Sequence, residues 1–300
     1  LLLFTPLFVP YNFQVSLNFN YEDNLIAIFL PLIFLLLASK KDKISYIILS
    51  ALLFLSYFCK TSMFFIVLFV PLLLIIFEKK NLIKFLPLIS AVIAITVWGS
   101  YGLIKTGKFP IGSSGSTINS YVMSFSFNEN FNKFYPKYST DLIEVKTPDR
   151  MINNEWDFYD YYKEKNSIYL KNNFEQLIKD FISKLKFVFF NIHKDGSLDL
   201  NSMSEIKISN IMNKIIINFS ILTFLIFIFK HSLFEKNILN NLNYRNNLYF
   251  FFLFSLSIAP HLIIWATSKH LVGITNVCII YVILQNESKI EKFIKNLLKI

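Results

Sequence analysis

The chain has 300 residues, of which 54% are hydrophobic and 34 are phenylalanine, so an ordinary soluble domain is excluded. Its net charge of +10 does not indicate nucleic-acid binding, because the basic excess lies in short loops between apolar blocks. The two cysteines, Cys59 and Cys278, fall inside such blocks and form no metal-binding or disulfide pattern.

The apolar blocks define the predicted architecture. The first block, 1–10, is read as the tail of a helix, and the absence of an initiator Met favours the C-terminal part of a longer protein. Long apolar runs with few charges are typical of membrane helices. We therefore predict an all-α polytopic membrane protein with about seven or eight membrane segments, in parts 1–104 and 209–284. Its further blocks are 25–38, 44–58, 63–77, 85–104, 211–229, 248–266 and 271–284.

A polar region, 105–208, separates the two membrane parts. It holds 14 Lys/Arg and 13 Asp/Glu and is therefore nearly neutral. We predict a mixed, partly helical extracytoplasmic domain that contains an amphipathic helix at about 168–190 on the membrane surface. The final segment, 285–300, has apolar residues on one face and lysines around them, which predicts a basic amphipathic cytoplasmic tail.

The short loops predict the orientation, because cytoplasmic loops of membrane proteins are enriched in Lys and Arg. If each block crosses once, the basic clusters all fall on one side, which we assign to the cytoplasm. These clusters are Lys40, Lys41 and Lys43; Lys79, Lys80 and Lys84; Lys230, Lys236 and Arg245; and the lysines of the tail. The opposite side then carries Glu22, Asp23, Lys60, Lys269 and His270.

Glu22 and Asp23 stand at the mouth of the block that begins at Leu25. Such carboxylates could orient an acceptor hydroxyl, act as a base or hold a divalent cation. They could equally be acidic residues that complement the dipole of a helix N-terminus. The sequence alone leaves both interpretations open.

Three basic side chains fall on the same predicted side. Lys60 lies between two short apolar blocks, where a charge needs a partner such as a lipid phosphate, or reaches the interface by snorkelling. Lys269 and His270 follow Trp265 at the outer end of a predicted helix. They could hold a phosphate leaving group or act as an interfacial anchor together with that tryptophan.

Several segments together resemble the GT-C superfamily of polytopic glycosyltransferases. This superfamily includes protein O-mannosyltransferases, aminoarabinose transferases and related bacterial enzymes of the rhizobial lipopolysaccharide type. The similar segments are Thr5-Pro6-Leu7-Phe8 leading to Tyr21-Glu22-Asp23-Asn24, Leu55 to Ser62, Trp98 to Tyr101 with Lys108 to Ile111, Asn154-Glu155-Trp156, and Ser268 to Leu271.

The resemblance implies transfer of a sugar from a polyprenyl-phosphate donor to a glycan, lipid or protein acceptor. The reaction would take place at the extracytoplasmic face of a bacterial inner membrane, with inversion at the anomeric carbon. Glu22 and Asp23 would be supporting catalytic carboxylates, and Lys60, Lys269 and His270 would bind the donor phosphate. The family's main catalytic Asp is expected upstream of Leu1, and whether a divalent cation takes part stays open. No nucleic-acid partner is expected.

Besides the main Asp expected upstream, one further departure and two alternatives accompany this resemblance. Lys60 and Lys269 stand where the family usually has Arg, which keeps the charge but loses the bidentate geometry on phosphate. A transporter or flippase subunit is one alternative and would place polar residues deep within its helices. A polysaccharide polymerase or ligase that uses lipid-linked sugars is the other.

The orientation makes a prediction for cysteine labelling in a background that lacks Cys59 and Cys278. A cysteine in place of Ser120 should react with an impermeant maleimide only from outside the cell. A cysteine in place of Lys41 should react only after the membrane is opened. The reverse pattern would overturn the assigned topology.

Overall fold

The computed structural model describes residues 21–39, 42–60, 63–78, 82–111, 155–172, 174–190, 203–230, 242–263 and 272–287. Within these ranges the chain is helical and contains no strand. The α-helices are α1 Tyr21–Ala38, α2 Lys43–Cys59, α3 Phe64–Phe77, α4 Leu86–Thr106, α5 Glu155–Asn172, α6 Phe174–Phe189, α7 Met203–Lys230, α8 Leu242–Ile263 and α9 Val272–Gln285.

Some of these helices follow the predicted apolar blocks closely, whereas α1, α7 and α8 begin several residues before the blocks 25–38, 211–229 and 248–266. The blocks at 44–58, 63–77 and 85–104 are α2, α3 and α4, each displaced by at most two residues at either end. The predicted first block, Lys269, His270, and the basic tail beyond residue 287 lie outside the described residues. So do 112–154 and 191–202, which make up about half of the predicted polar domain.

Local signals account for where helices begin and end. Asp42 precedes α2, and its carboxylate accepts hydrogen bonds from the Ser45 N–H at 2.8 Å and the Ser45 hydroxyl at 2.7 Å. These two bonds lower the pKa of Asp42 below its usual range. At its other end, α4 stops at Gly107, which has φ 73° and donates its N–H to the Leu103 carbonyl at 2.9 Å.

The core that joins α1, α8 and α9 is aromatic. The rings of Phe250 and Tyr281 stack with centroids 3.8 Å apart, and Phe34 meets both rings edge-on. All three side chains are almost completely buried. The Tyr281 hydroxyl also donates to the Asn247 side chain, so this tyrosine meets its polar requirement inside the bundle.

One end of the bundle is closed by Arg245, near the start of α8. Its guanidinium lies 3.6 Å from the Glu78 carboxylate at the end of α3 and donates to the Ser39 carbonyl, after α1, at 3.3 Å. Lys84 donates to the Ile75 and Glu78 carbonyls and so satisfies the last turn of α3. We call this the Arg245 end. Lys84 and Arg245, from two of the predicted basic clusters, both lie at this end.

The directions of the helices define the opposite end of the bundle, which we call the Lys60 end. The chain reverses between α1 and α2 at the Arg245 end, so α1 starts, and α2 finishes, at the other end. Lys60 directly follows α2 there. Because α3 finishes at Glu78 and α4 starts soon after, α4 also finishes at the Lys60 end.

Two helical stretches, Leu82–Thr106 and Ile211–Phe229, are long and apolar enough to cross a membrane. Only 22% of the most apolar window is buried in each, so most of their apolar surface is uncovered. The uncovered side of α4 includes Ile89, Val92, Ile93 and Val97, each about half exposed. The helices Lys43–Cys59 and Phe64–Phe77 are apolar but shorter.

The predicted amphipathic helix at 168–190 differs from the structure, in which this segment belongs to two helices. Residues 168–172 complete α5, and α6 starts at Phe174. The apolar stripe of α6 is exposed in its first turns, at Phe174 and Ile178, and buried at Val188. The first half of α6 therefore stands away from the bundle, while its last turn is packed inside.

The Arg245 end makes a prediction for stability. Changing Arg245 to Met should lower the free energy of unfolding by about 1–3 kcal/mol, because the half-buried Glu78 carboxylate loses the positive charge that it pairs with. Thermal unfolding in detergent measures the effect. The double variant Glu78→Gln/Arg245→Met removes the stranded charge and should recover part of the loss. A double variant as unstable as the sum of the two single variants would contradict a coupled pair.

Candidate functional site

Lys60 sits in a tight turn between α2 and α3. Its N–H donates to the Ser56 carbonyl at 3.1 Å, and its carbonyl accepts from the Met63 N–H at 2.9 Å. The side chain is half-buried. A lysine thus lies at the junction of two apolar helices, where two hydrogen bonds fix its backbone.

Glu22 and Asp23 lie in the first turn of α1, which begins at Tyr21. The structure therefore places both residues at the Lys60 end of the bundle, although their side chains are not among those it describes. The first turn is the positive end of the α1 dipole. The helix-terminus interpretation and the catalytic interpretation both remain compatible with this placement.

Lys269 and His270 lie outside the described residues, but the helix that follows them is well defined. Helix α9 begins at Val272, and Gly273 packs directly on α1. A Cβ atom at Gly273 would lie 3.2 Å from both the Ile26 side chain and the Ile26 carbonyl oxygen. The start of α9 is therefore pressed against the first half of α1, at the Lys60 end.

The chain turns back on α4 directly after that helix ends. A Cβ atom at Gly99 would lie 2.1 Å from the Phe109 ring, and one at Gly102 would lie 2.3 Å from the Pro110 ring. The Tyr57 hydroxyl donates to the Ile111 carbonyl at 2.6 Å. Two segments of the family resemblance, Trp98 to Tyr101 and Lys108 to Ile111, are thus in mutual contact.

Lys108 connects this return to α5. Its ammonium forms an ion pair with the Asp160 carboxylate, and both side chains are about half exposed. On the same helix, the Trp156 and Tyr159 rings lie 5.3 Å apart. The contact holds an aromatic and acidic helix beside the Lys60 end.

Trp98 links this region to α2 through its ring. The ring centroid lies 6.4 Å from that of Phe58, two residues before Lys60. Its Nε1–H is buried and has no hydrogen-bond partner. Buried indole N–H groups normally find an acceptor, so this donor is an exception within the part of the chain that the structure describes.

Sequence reasoning missed the polar residues near the start of the predicted span 211–229. Lys214 is 6% exposed and donates to the Val188 carbonyl at 2.6 Å, while Asn218 donates to the Phe189 carbonyl at 2.8 Å. Together they satisfy the C-terminal carbonyls of α6 and complement its dipole. A lysine inside a predicted span was the available signal, since such residues need a partner.

Asn213, the neighbour of Lys214, is buried but unpaired. Its residue is 4% exposed, and neither its Nδ2 nor its Oδ1 has a hydrogen-bond partner. A buried amide left in this state costs about 1–3 kcal/mol. Other buried asparagines in the described part of the chain are paired; Asn276, for example, donates to the Ala27 carbonyl at 2.8 Å.

The described residues contain no group of three or more His, Cys, Asp or Glu side chains that could hold a metal ion. No protein-family model, curated protein or solved structure matches this chain.

The return of the chain on α4 makes a prediction. Changing Gly102 to Ala should lower the free energy of unfolding by about 1–3 kcal/mol, because the new methyl group overlaps the Pro110 ring. Chemical denaturation measures the loss.

A second substitution at the partner residue serves as the control. The variant Gly102→Ala/Pro110→Ala removes the ring atoms that the methyl group meets and should recover stability relative to Gly102→Ala. Lack of any recovery would show that this packing is not what requires the glycine.

Proposed function

We propose that this chain belongs to a membrane glycosyltransferase that moves a sugar from a polyprenyl-phosphate donor to an acceptor at the extracytoplasmic face. The observation that carries the proposal is the convergence at the Lys60 end. The first turn of α1, which contains Glu22 and Asp23, lies at the same end as Lys60 and the start of α9. A phosphate leaving group needs a cation, and an acceptor hydroxyl needs a carboxylate, within one site.

The proposal includes a polytopic arrangement in the inner membrane of a bacterium. Two helical stretches are long enough to cross, and shorter apolar helices pack beside them. The wide apolar faces that the bundle leaves uncovered on α4 and α7 support a lipid environment, because soluble proteins rarely expose apolar patches of this extent. About seven or eight segments would then span or enter the bilayer.

The proposed chemistry assigns each residue one task. Lys60, with Lys269 and His270, would stabilise negative charge on the departing lipid phosphate, at a few kcal/mol for each well-placed donor. Glu22 and Asp23 would orient the acceptor hydroxyl or hold a divalent cation. A lysine attracts phosphate as a point charge, without the paired hydrogen bonds of arginine, so geometry must come from other donors nearby.

A transporter or flippase subunit is the second candidate, and the buried polar side chains of the helices favour it. Lys214, Asn218, Ser220 and Asn276 lie inside or at the edge of the bundle. Each of them, however, donates to a backbone carbonyl of a neighbouring helix. Such bonds tie helices together, and a transport path would need polar groups that are free to exchange partners.

The carboxylates provide the test. Glu22→Gln and Asp23→Asn should each lower sugar transfer by at least about tenfold, because the amide keeps the shape but loses the charge. The measurement uses membranes that contain the protein, a labelled polyprenyl-phosphate sugar and an acceptor extract. Membrane expression should stay at the level of the wild type.

Lys43→Gln is the matched control for a charge change, because this exposed residue lies at the Arg245 end, away from the proposed site. It should transfer sugar at the rate of the wild type. Full activity in both Glu22→Gln and Asp23→Asn would remove these carboxylates from the site.

A further inference from the structure

We propose that the N-terminus of α9 and the side chain of Asn213 together bind the phosphate of a polyprenyl-phosphate ligand. The choice of ligand rests on the proposed function, whereas the site itself rests on burial and helix register. Its two components are a helix end that points backbone N–H groups at one place and a buried amide that lacks a partner.

Helices α7 and α9 run in the same direction. In α9, Asn276 contacts Ala27 in the first half of α1, and Tyr281 contacts Asn247, near the Arg245 end. In α7, the ring of Phe227 lies 5.6 Å from that of Tyr244, the residue before Arg245. Both helices therefore travel from the Lys60 end to the Arg245 end.

A hydrogen bond sets the register between these two helices. The Ser220 hydroxyl donates to the Cys278 carbonyl at 3.3 Å. Asn213 precedes Ser220 by two helical turns and shares its face, about 10 Å nearer to the Lys60 end. Two helical turns before Cys278 on α9 is the position just before Val272, where α9 begins. The buried amide is thus level with the first turn of α9 and faces it.

The first turn of an α-helix offers N–H groups that have no acceptor within the helix, and its dipole adds positive potential. Anions bind readily at such ends. The Asn213 amide adds one donor and one acceptor. Its Nδ2 can donate to a phosphate oxygen, and its Oδ1 can accept a hydrogen bond from a phosphate hydroxyl. The arrangement supplies directed hydrogen bonds that Lys60, as a point charge, does not.

The depth of this site favours a lipid-linked phosphate over free phosphate. The apolar stretch of α7 begins at Ile211, so Asn213 lies about 3 Å inside it along the helix axis. The phosphate of a lipid occupies this boundary between apolar and polar layers, and its chain extends along the uncovered apolar faces. A free phosphate would have to leave water to reach the same atoms.

The test compares Asn213→Leu with the wild type in phosphatidylcholine nanodiscs. Binding of a polyprenyl phosphate, followed by tryptophan fluorescence, should weaken at least tenfold in the variant. Binding of the corresponding polyprenol, which has no phosphate, should be equal in the two proteins. The thermal midpoint of Asn213→Leu without ligand should match or exceed that of the wild type, because the leucine replaces an unpaired amide.

Asn276→Leu is the matched control. This asparagine is as buried as Asn213, but its amide is paired, so its loss should lower the thermal midpoint. Equal polyprenyl-phosphate binding by the wild type and Asn213→Leu would overturn the proposal. A fall in the midpoint of Asn213→Leu as large as that of Asn276→Leu would overturn it as well.

Two further measurements distinguish a failure of this phosphate site from a failure of the proposed function, and a lipid-linked phosphate from free phosphate. Binding that depends on Asn213 in a protein that transfers no sugar would leave the site standing and remove the glycosyltransferase proposal. Inorganic phosphate at equal concentration should bind at least tenfold more weakly than the lipid. If the two bound equally, the assignment to a lipid-linked phosphate would be wrong.

Discussion

The arrangement of this bundle depends on side-chain donors of one helix reaching the backbone carbonyls of another. The bond from Lys214 to the Val188 carbonyl, at 2.6 Å, is the strongest example, because its donor is a charged ammonium group at the C-terminus of a helix. Ser90 donates in the same way from α4 to the Ser50 carbonyl of α2 at 2.7 Å. In an apolar environment, a carbonyl without a hydrogen bond raises the free energy of the folded state. These bonds therefore decide which helices pack together and how far each is shifted along the bundle axis.

Both ends of the bundle contain buried polar atoms without a hydrogen-bond partner. At the Arg245 end, the guanidinium pairs with Glu78 and bonds the carbonyl after α1, but its Nε has no partner. At the Lys60 end, the Trp98 indole N–H and both polar atoms of the Asn213 amide are buried without partners. Buried groups that lack a partner are expected where a ligand completes the structure, and those of the Lys60 end agree with the proposal that chemistry takes place there.

The sequence predicted helices well wherever length and hydropathy decide the outcome. The block at 44–58 and helix α2 differ by one residue at either end, because Asp42 caps the start and Lys60 stops the apolar run. The division between α5 and α6 was not predicted, and the end of α6 is understood only from Lys214 and Asn218, far along the chain, which bond the Val188 and Phe189 carbonyls. Gly99 and Gly102 likewise have no local explanation and are understood only once Phe109 and Pro110 pack on them.

The candidate site could be predicted only in part for the same reason. Charge and hydropathy place Lys60 and the first turn of α1 at one end of the molecule. Nothing in the sequence distinguishes Asn213 from Asn218, five positions later, whose side-chain amide is hydrogen-bonded. Its unpaired state results from the register between α7 and α9, which depends on the whole bundle.

The contact between Asn276 and the Ala27 carbonyl has a consequence for the order of assembly during translation. The two residues are 249 positions apart, and Arg245 and Ser39 are 206 apart. At a synthesis rate of about 5–20 residues per second, α1 waits roughly 10–50 seconds for these partners. During that interval α1 to α4 exist as an incomplete group with one face open. Helix α9 thus closes a gap beside α1, and its removal would leave α1 without its main neighbour.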